Sequence, residues 1–328
     1  MTALRGWRIF ALLGVTAVFA CLPLFLPNDY VLQVFFRIVL FAALGLAWNL
    51  VGGYAGQLSL GHVAYFGVGA YGMAMLYAHH VPLWLSVLFS ALIATGFAAI
   101  IGSIVFRLRG PYFTLSTIAF AEVLRLSVTN LPAAGGAIGL STPALFPPGA
   151  FWKMFYLSAV ALAFVSFLVN AWTSRSRFGY YLMAIREDED TAAAVGIDTA
   201  NYKLRALMAS AFLTALGGGL YGSAFQFIVP DSVLSGEISV QIAIITMLGG
   251  AGTLLGPVVG AVLLLAASEL FKNKFQESHL LTYGILIVIV VLVLPEGIVG
   301  GLKQLFQRKT KPPASVAPLA ATPAQGGD

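Results

Sequence analysis

The sequence predicts an all-α, polytopic integral membrane protein, and three observations carry that prediction. Of 328 residues 59% are hydrophobic and only 9% are charged, whereas a soluble domain carries about 25% charged residues. Apolar runs long enough to cross roughly 30 Å of hydrocarbon recur along almost the whole chain, in keeping with a mean hydropathy of +0.90. No ten-residue segment alternates apolar and polar side chains as a barrel strand would, so helices are left as the way to satisfy the backbone in lipid.

The runs place spans near 8–26, 31–51, 60–78, 83–106, 111–129, 151–172, 204–228, 238–250, 254–270 and 281–299. That makes about ten crossings. The first follows Arg5 and Arg8 and reads as a retained span: Val18-Phe19-Ala20-Cys21 is lipobox-like, but the bulky Phe19 fits poorly and the run exceeds a signal core. The eighth is short. If 238–270 is instead one re-entrant element, eight crossings remain and the orientation is unchanged.

Basic residues orient these spans. With the N-terminus in the cytoplasm, the inner loops collect Arg5, Arg8, Arg107, Arg109, Arg175, Arg177, Arg186, Lys203, Arg205, Lys303, Arg308, Lys309 and Lys311, which is 13 of 18 Lys and Arg. The outer loops keep Lys153, Lys272 and Lys274, while Arg37 and Arg125 fall within spans. This bias predicts both termini inside. It also accounts for the net charge of +5 without a nucleic-acid partner, because the cations form no single patch. The single cysteine, Cys21, excludes an intrachain disulfide. The transmembrane body is expected over 1–302, with a large inner loop at 173–203 and an uncharged, Pro- and Gly-rich outer loop at 130–150. A Pro/Ala-rich tail at 303–328 is expected to be disordered and cytoplasmic.

Several motif matches carry no chemistry. Gly67-Val68-Gly69-Ala70-Tyr71-Gly72 fits the dinucleotide fingerprint in letters, but it lies in an apolar span and no acidic residue occurs between Asp29 and Glu122. The histidines at 62, 79, 80 and 279 lack the spacing and carboxylate company of a zinc site. No cofactor or metal is predicted. There is no Gly-Lys-Ser or Gly-Lys-Thr, so any ATP hydrolysis belongs to another subunit.

The 35 glycines concentrate at 52–72, 217–222 and 249–260. In lipid, small residues four apart let helices approach closely, as at Gly252, Gly256 and Gly260. The alternative is a broken segment lining a cavity, as half-helices do in transporters. Gln57, Ser59 and His62 lie within the first cluster and are candidates for path lining or for buried polar positions. Glu122 and Arg125 stand three apart on one face of the fifth span, where an ion pair is expected because an isolated intramembrane charge is costly. A role in the path or gate is the competing reading. In the inner loop, Arg177, Gly179, Arg186, Glu187, Asp188 and Glu189 precede Ala192-Ala193-Ala194, with Gly196 ending a short amphipathic helix open to a soluble partner or to the lipid surface.

Four ordered stretches go beyond generic patterning. Gly53-Tyr54-Ala55-Gly56-Gln57-Leu58-Ser59-Leu60-Gly61-His62 is the first. Arg109-Gly110-Pro111-Tyr112-Phe113 with Glu122-Val123-Leu124-Arg125, Ser176-Arg177-Phe178-Gly179 with Ala184-Ile185-Arg186-Glu187-Asp188-Glu189, and Met247-Leu248-Gly249-Gly250-Ala251-Gly252-Thr253 follow. Together they resemble permeases of branched-chain amino acid ABC transporters, the LivM-type subunit in particular, over roughly 40–300. The resemblance implies an importer of the bacterial cytoplasmic membrane: two related permease subunits form the path, two cytoplasmic ATPases drive it, and an extracytoplasmic binding protein delivers leucine, isoleucine or valine. Urea and short-amide importers use similar permeases. Ala192 to Gly196 resembles a degraded coupling motif without its leading Glu. An ion-coupled secondary transporter is the rival class, and Glu122 is the one acidic residue well inside a predicted span that could serve it.

Overall fold

The computed structural model describes residues 28–142 and 150–275, with Gly284, Gly297 and Ile298. The expected first span (8–26), the tail 303–328 and all but three residues of the expected last span (281–299) lie outside the described residues.

Eleven α-helices are described. They are α1 (Asp29–Trp48), α2 (His62–Ala78), α3 (Leu83–Val105), α4 (Pro111–Thr129), α5 (Phe151–Thr173), α6 (Arg177–Glu187), α7 (Glu189–Ala194), α8 (Thr199–Phe225), α9 (Pro230–Val233), α10 (Gly236–Gly249) and α11 (Gly256–Phe275). Five stretches are long and apolar enough to cross a membrane: Asp29–Tyr54, Leu83–Val105, Phe151–Thr173, Thr199–Phe225 and Pro230–Gly249. The outer-loop expectation acquires local order. Two 3-10 turns at Pro132–Ala134 and Gly136–Ile138 lead into β1 (Leu140–Ser141), which pairs antiparallel with β2 (Phe227–Ile228), Leu140 opposite Ile228. This ribbon pins the long connection across the end of α8 and leaves the all-α class intact.

Helix α8 is the central column. It packs against α2 and α3, touches α1 and α5, and α1 in turn packs on α5 and α11. Glycine explains how close these helices come. A Cβ added at Gly218 would overlap the Phe66 carbonyl, and one at Gly69 would overlap the Ala215 carbonyl, so α2 and α8 meet backbone to backbone. The same holds for α10 and α11, where Gly249 abuts the Gly256 carbonyl and Gly260 abuts that of Ile245. The fingerprint-like Gly67–Gly72 run is thus a packing surface. On the opposite side, α3 presents Leu85, Leu88, Phe89, Leu92, Ile93 and Ile100 outward, a face suited to lipid.

Two boundaries differ from expectation for local reasons. The expected span at 31–51 runs on through a π-helical turn, Asn49–Tyr54, before the chain leaves helix at Ala55. The expected single helix in the 173–203 loop is two helices, because Asp188 leaves helical geometry (φ −158°, ψ 112°) and caps α7 by accepting from the Thr191 N–H at 2.7 Å.

Candidate functional site

Polar side chains cluster where α1 breaks. Asn49 opens the π-helical turn, wholly buried. Its Nδ2 donates to Asn170 Oδ1 (3.0 Å) and to the Thr253 carbonyl (3.1 Å), while its Oδ1 accepts from the Gly252 N–H (2.8 Å). Asn170 of α5 donates onward to the Leu46 carbonyl (2.8 Å). A π turn leaves backbone groups out of the ordinary i to i−4 ladder, and two amides here join α1, α5 and the α10–α11 turn across it. Beyond the turn, Ala55–Gly61 runs beside the start of α4. Thr114 donates to the Leu58 carbonyl (2.7 Å), and the Leu60 N–H donates to Thr117 Oγ1 (3.2 Å). Trp48 Nε1 donates to the Ser59 carbonyl (2.7 Å), and His62 Nε2 pairs with Ser210 Oγ (2.8 Å), which donates to the Ala47 carbonyl. Ser59 and His62 are therefore interior, whereas Gln57 is half-buried and Gly56 exposed.

The α6–α7 connection is anchored on its inner face. Leu182 and Ile185 are buried, Phe178 stacks on Trp172 at 6.0 Å, and Tyr181 meets Tyr202 edge-on at 4.9 Å. Gly179 has to be glycine at this crossing, since a Cβ would overlap the Thr173 carbonyl. Consecutive acids then hold α7 in two directions. Glu189 accepts from Lys203 of α8 at 2.6 Å, with the lysine side chain 1% exposed and the glutamate 19%. Asp190 meets Arg109 of the α3–α4 turn at 2.6 Å, and this carboxylate raises Arg109 above the ordinary guanidinium value. Phe106 from the same turn covers Lys203, 5.4 Å from its nitrogen to the ring centroid. Thr191 N–H bonding to its carboxylate holds Asp188 below the usual aspartate range. Gly196 ends the helix at φ 89°, where its own N–H and that of Ile197 reach back to Ala193 and Ala192. The outward face keeps Arg177, Tyr180, Glu187 and Val195 exposed.

A third group stands on α4. Arg125 makes a two-pronged contact with Glu122, Nη2 to Oε1 at 2.6 Å and Nε to Oε2 at 3.0 Å. Its Nη1 donates to Asp231 of α9 at 2.7 Å. The exposures of 27%, 51% and 82% for Arg125, Glu122 and Asp231 place the trio on the open flank of α4, away from the interior of the chain. That flank also presents Tyr112, Leu115, Val123 and Leu126.

Residues 30–294 match the family described as the branched-chain amino acid transport system / permease component. The chain belongs to this family. It is 29% identical over 289 aligned positions to the high-affinity branched-chain amino acid transport system permease protein LivM of Salmonella typhimurium, covering 79% of this chain and 68% of the relative. The LivM of Escherichia coli matches to the same extent. The autoinducer 2 import system permease protein LsrC of Yersinia enterocolitica is 29% identical over 273 positions, covering 77% of this chain and 72% of that one. No solved structure matches. The chain is a LivM-type ABC transporter permease and a multi-pass membrane protein.

In this permease the expected site residues fall into three places. Gln57, Ser59 and His62 lie at the break after α1, Glu122 and Arg125 on the open flank of α4, and Arg177, Gly179, Arg186, Glu187, Asp188, Glu189 and Gly196 along α6, α7 and the turn after them. Arg186 bridges the first and third groups by donating to the Gly53 carbonyl at 2.7 Å. Sequence reasoning did not single out Asn49, Asn170 or Asp231. Two asparagines inside apolar helices are a readable signal of buried polarity. Asp231 stands 106 positions from Arg125, and no spacing rule joins them.

Proposed function

We propose that this permease forms half of the translocation path of an ABC importer for branched-chain amino acids in the bacterial cytoplasmic membrane. A second homologous permease supplies the other half, two cytoplasmic ATPases supply energy, and an extracytoplasmic binding protein delivers leucine, isoleucine or valine. Family membership supports the transport class. One observation supports the coupling route: α7 is clamped by adjacent carboxylates to the starts of both α4 and α8, so a partner pressing on the α6–α7 loop displaces membrane helices rather than a free connector.

In this reading Arg177, Gly179, Arg186, Glu187, Asp188, Glu189 and Gly196 make up the coupling element: Arg177, Glu187, Asp188 and Gly196 meet the ATPase, while Gly179, Arg186 and Glu189 tie the element to the membrane body. Exposed Tyr180 and Val195 add apolar contact beside the charges. The half-buried Gln57 and the flank of α4 with Glu122 and Arg125 line the path, while Ser59 and His62 behind them fix its shape. Helix α4 suits that duty because its uncovered face carries charge that lipid would not accept. Both termini are cytoplasmic, from the distribution of basic residues.

A second reading within the same class is import of another small solute, such as urea or a short amide. It is favoured by relatives named for other cargo, including a nucleoside ABC transporter permease of Lactococcus lactis that is 24% identical over 193 positions. Purification of the chain alone and with its ATPase subunits tests the proposal. The lone chain is expected to hydrolyse no ATP, and the complex to hydrolyse it faster with loaded binding protein. Reversing the charge of Glu187 or replacing Gly196 with Val is expected to weaken ATPase copurification or that stimulation. Wild-type behaviour of both variants would place docking elsewhere.

A further inference from the structure

Arg186 does something its neighbours in the loop do not. It is in the last turn of α6, yet its guanidinium points back into the membrane body, where Nη1 donates to the Gly53 carbonyl at 2.7 Å inside the π-helical turn. Two glycines make room for it. A Cβ on Gly252 would stand 2.6 Å from Nη1, and one on Gly56 would stand 2.8 Å from Arg186 Cγ. Both glycines have positive φ, 79° and 68°, so the backbone at each is shaped around the arginine in a conformation other residues rarely adopt. The Gly252 N–H is in turn held by Asn49 Oδ1 at 2.8 Å. One side chain from the loop therefore touches the π-helical turn after α1, the turn between α10 and α11, and Gly56 in the non-helical stretch that leads to Gln57 and His62.

Arg186, Glu187 and Asp188 are all exposed residues, and of the three it is Arg186 that bonds into the π-helical turn. We propose that Arg186 is a positioning residue, the strut through which movement of the α6–α7 loop is passed to the break after α1 and thereby to the path-lining segment 55–61. This rests on the reading of the loop as the ATPase docking element. Length and shape matter here: the arginine stem passes Gly56 while Nη1, at the far end of the planar guanidinium, reaches both the Gly53 carbonyl and Gly252, and a lysine is one atom shorter and ends in a compact ammonium without that plane.

The test uses the full complex with ATPase subunits and binding protein in lipid nanodiscs, with Gln57→Cys in a Cys21→Ala background as reporter. The rate of labelling by a polar maleimide is read with and without a non-hydrolysable ATP analogue. With Arg186 present, the analogue is expected to change the rate on the order of threefold or more, as expected when a ligand shifts a two-state population. In Arg186→Met and Arg186→Lys the ATPases still copurify, but the change disappears. If Arg186→Lys responds like the parent, charge alone suffices and the strut is refuted. It is also refuted if Arg186→Met keeps the full response, or if the parent shows none while its ATPases are bound. Loss of ATPase copurification specific to the Arg186 variants would make Arg186 a docking contact instead. If the loop variants Glu187→Lys and Gly196→Val leave copurification and coupled hydrolysis untouched, the docking reading itself fails and the strut falls with it.

Discussion

Replacing Glu189 with Gln is expected to destabilise the permease more than replacing Lys203 with Met, although glutamate is the more exposed partner. Lys203 is enclosed, with 1% of its side chain accessible, and its partners are Glu189 at 2.6 Å and the Phe106 ring at 5.4 Å. Removing one member of a buried pair strands the other charge at a cost of about 3–5 kcal/mol. Phe106 offsets a part of that, about 1 kcal/mol for a cation over a ring, which leaves about 3 kcal/mol for Glu189→Gln. In Lys203→Met the surviving carboxylate is 19% exposed and keeps the Thr199 hydroxyl at 3.3 Å. Its loss is then about 1–2 kcal/mol, that of a charged hydrogen bond. The double variant leaves no charge behind and should match Lys203→Met within about 1 kcal/mol, a coupling of about 3 kcal/mol. Denaturation midpoints of the purified chain in one detergent give the ordering. Additive losses, or a Glu189→Gln variant as stable as the parent, would refute the enclosed-pair reasoning.

Other expectations follow from the same contacts. Asn49→Leu leaves the Gly252 N–H and the Thr253 carbonyl without this partner, at about 1–3 kcal/mol for each group left unsatisfied, and folded yield in detergent should fall sharply; Asn170→Asp, which puts a buried carboxylate oxygen against the Leu46 and Ser166 carbonyls, should fall at least as far. Gly69→Ala and Gly218→Ala force α2 and α8 apart and should cost about 1–3 kcal/mol or more, whereas Gly96→Ala meets nothing within 4 Å and should be neutral or stabilising by the same midpoint assay. Asp188→Ala should raise amide exchange at 191–193 and Asp188→Ser should restore protection. Because the folded pKa of Asp188 lies below its unfolded value, the cap's contribution is complete above the unfolded pKa. It is lost as pH falls through the folded value, so protection should hold constant at neutral pH and drop only under acid. With Cys21→Ala as background, an impermeant thiol reagent on intact cells should label Ile138→Cys and not Val195→Cys, and the reverse pattern would invert the orientation.

Periodicity and span length made the helices legible because lipid imposes one solution on the backbone: the limits of α4 coincide with the apolar run at 111–129, and those of α3 and α5 differ by one residue. The Glu122–Arg125 contact was legible for a similar reason, since three residues is one helical turn. What could not be read was tertiary. Nothing local to Lys203 distinguishes a solvated loop cation from one sealed under Phe106. Asp231 joins Arg125 only because the short helix α9 folds back beside α4. The π-helical turn was equally hidden, because the apolar run continues smoothly through Trp48-Asn49-Leu50-Val51 and the widening depends on Asn170 and Gly252 from distant segments. Asp188, an exposed acid in a charged run, gave no sign that it divides one expected helix into two.

Uptake of labelled leucine into proteoliposomes containing the permease pair, the ATPase subunits and the binding protein tests the central claim most directly. Uptake is expected to require internal ATP, to persist when ion gradients are collapsed, and to be competed by isoleucine and valine. Uptake by this chain alone, or uptake that follows an imposed ion gradient after ATP is removed, would contradict it.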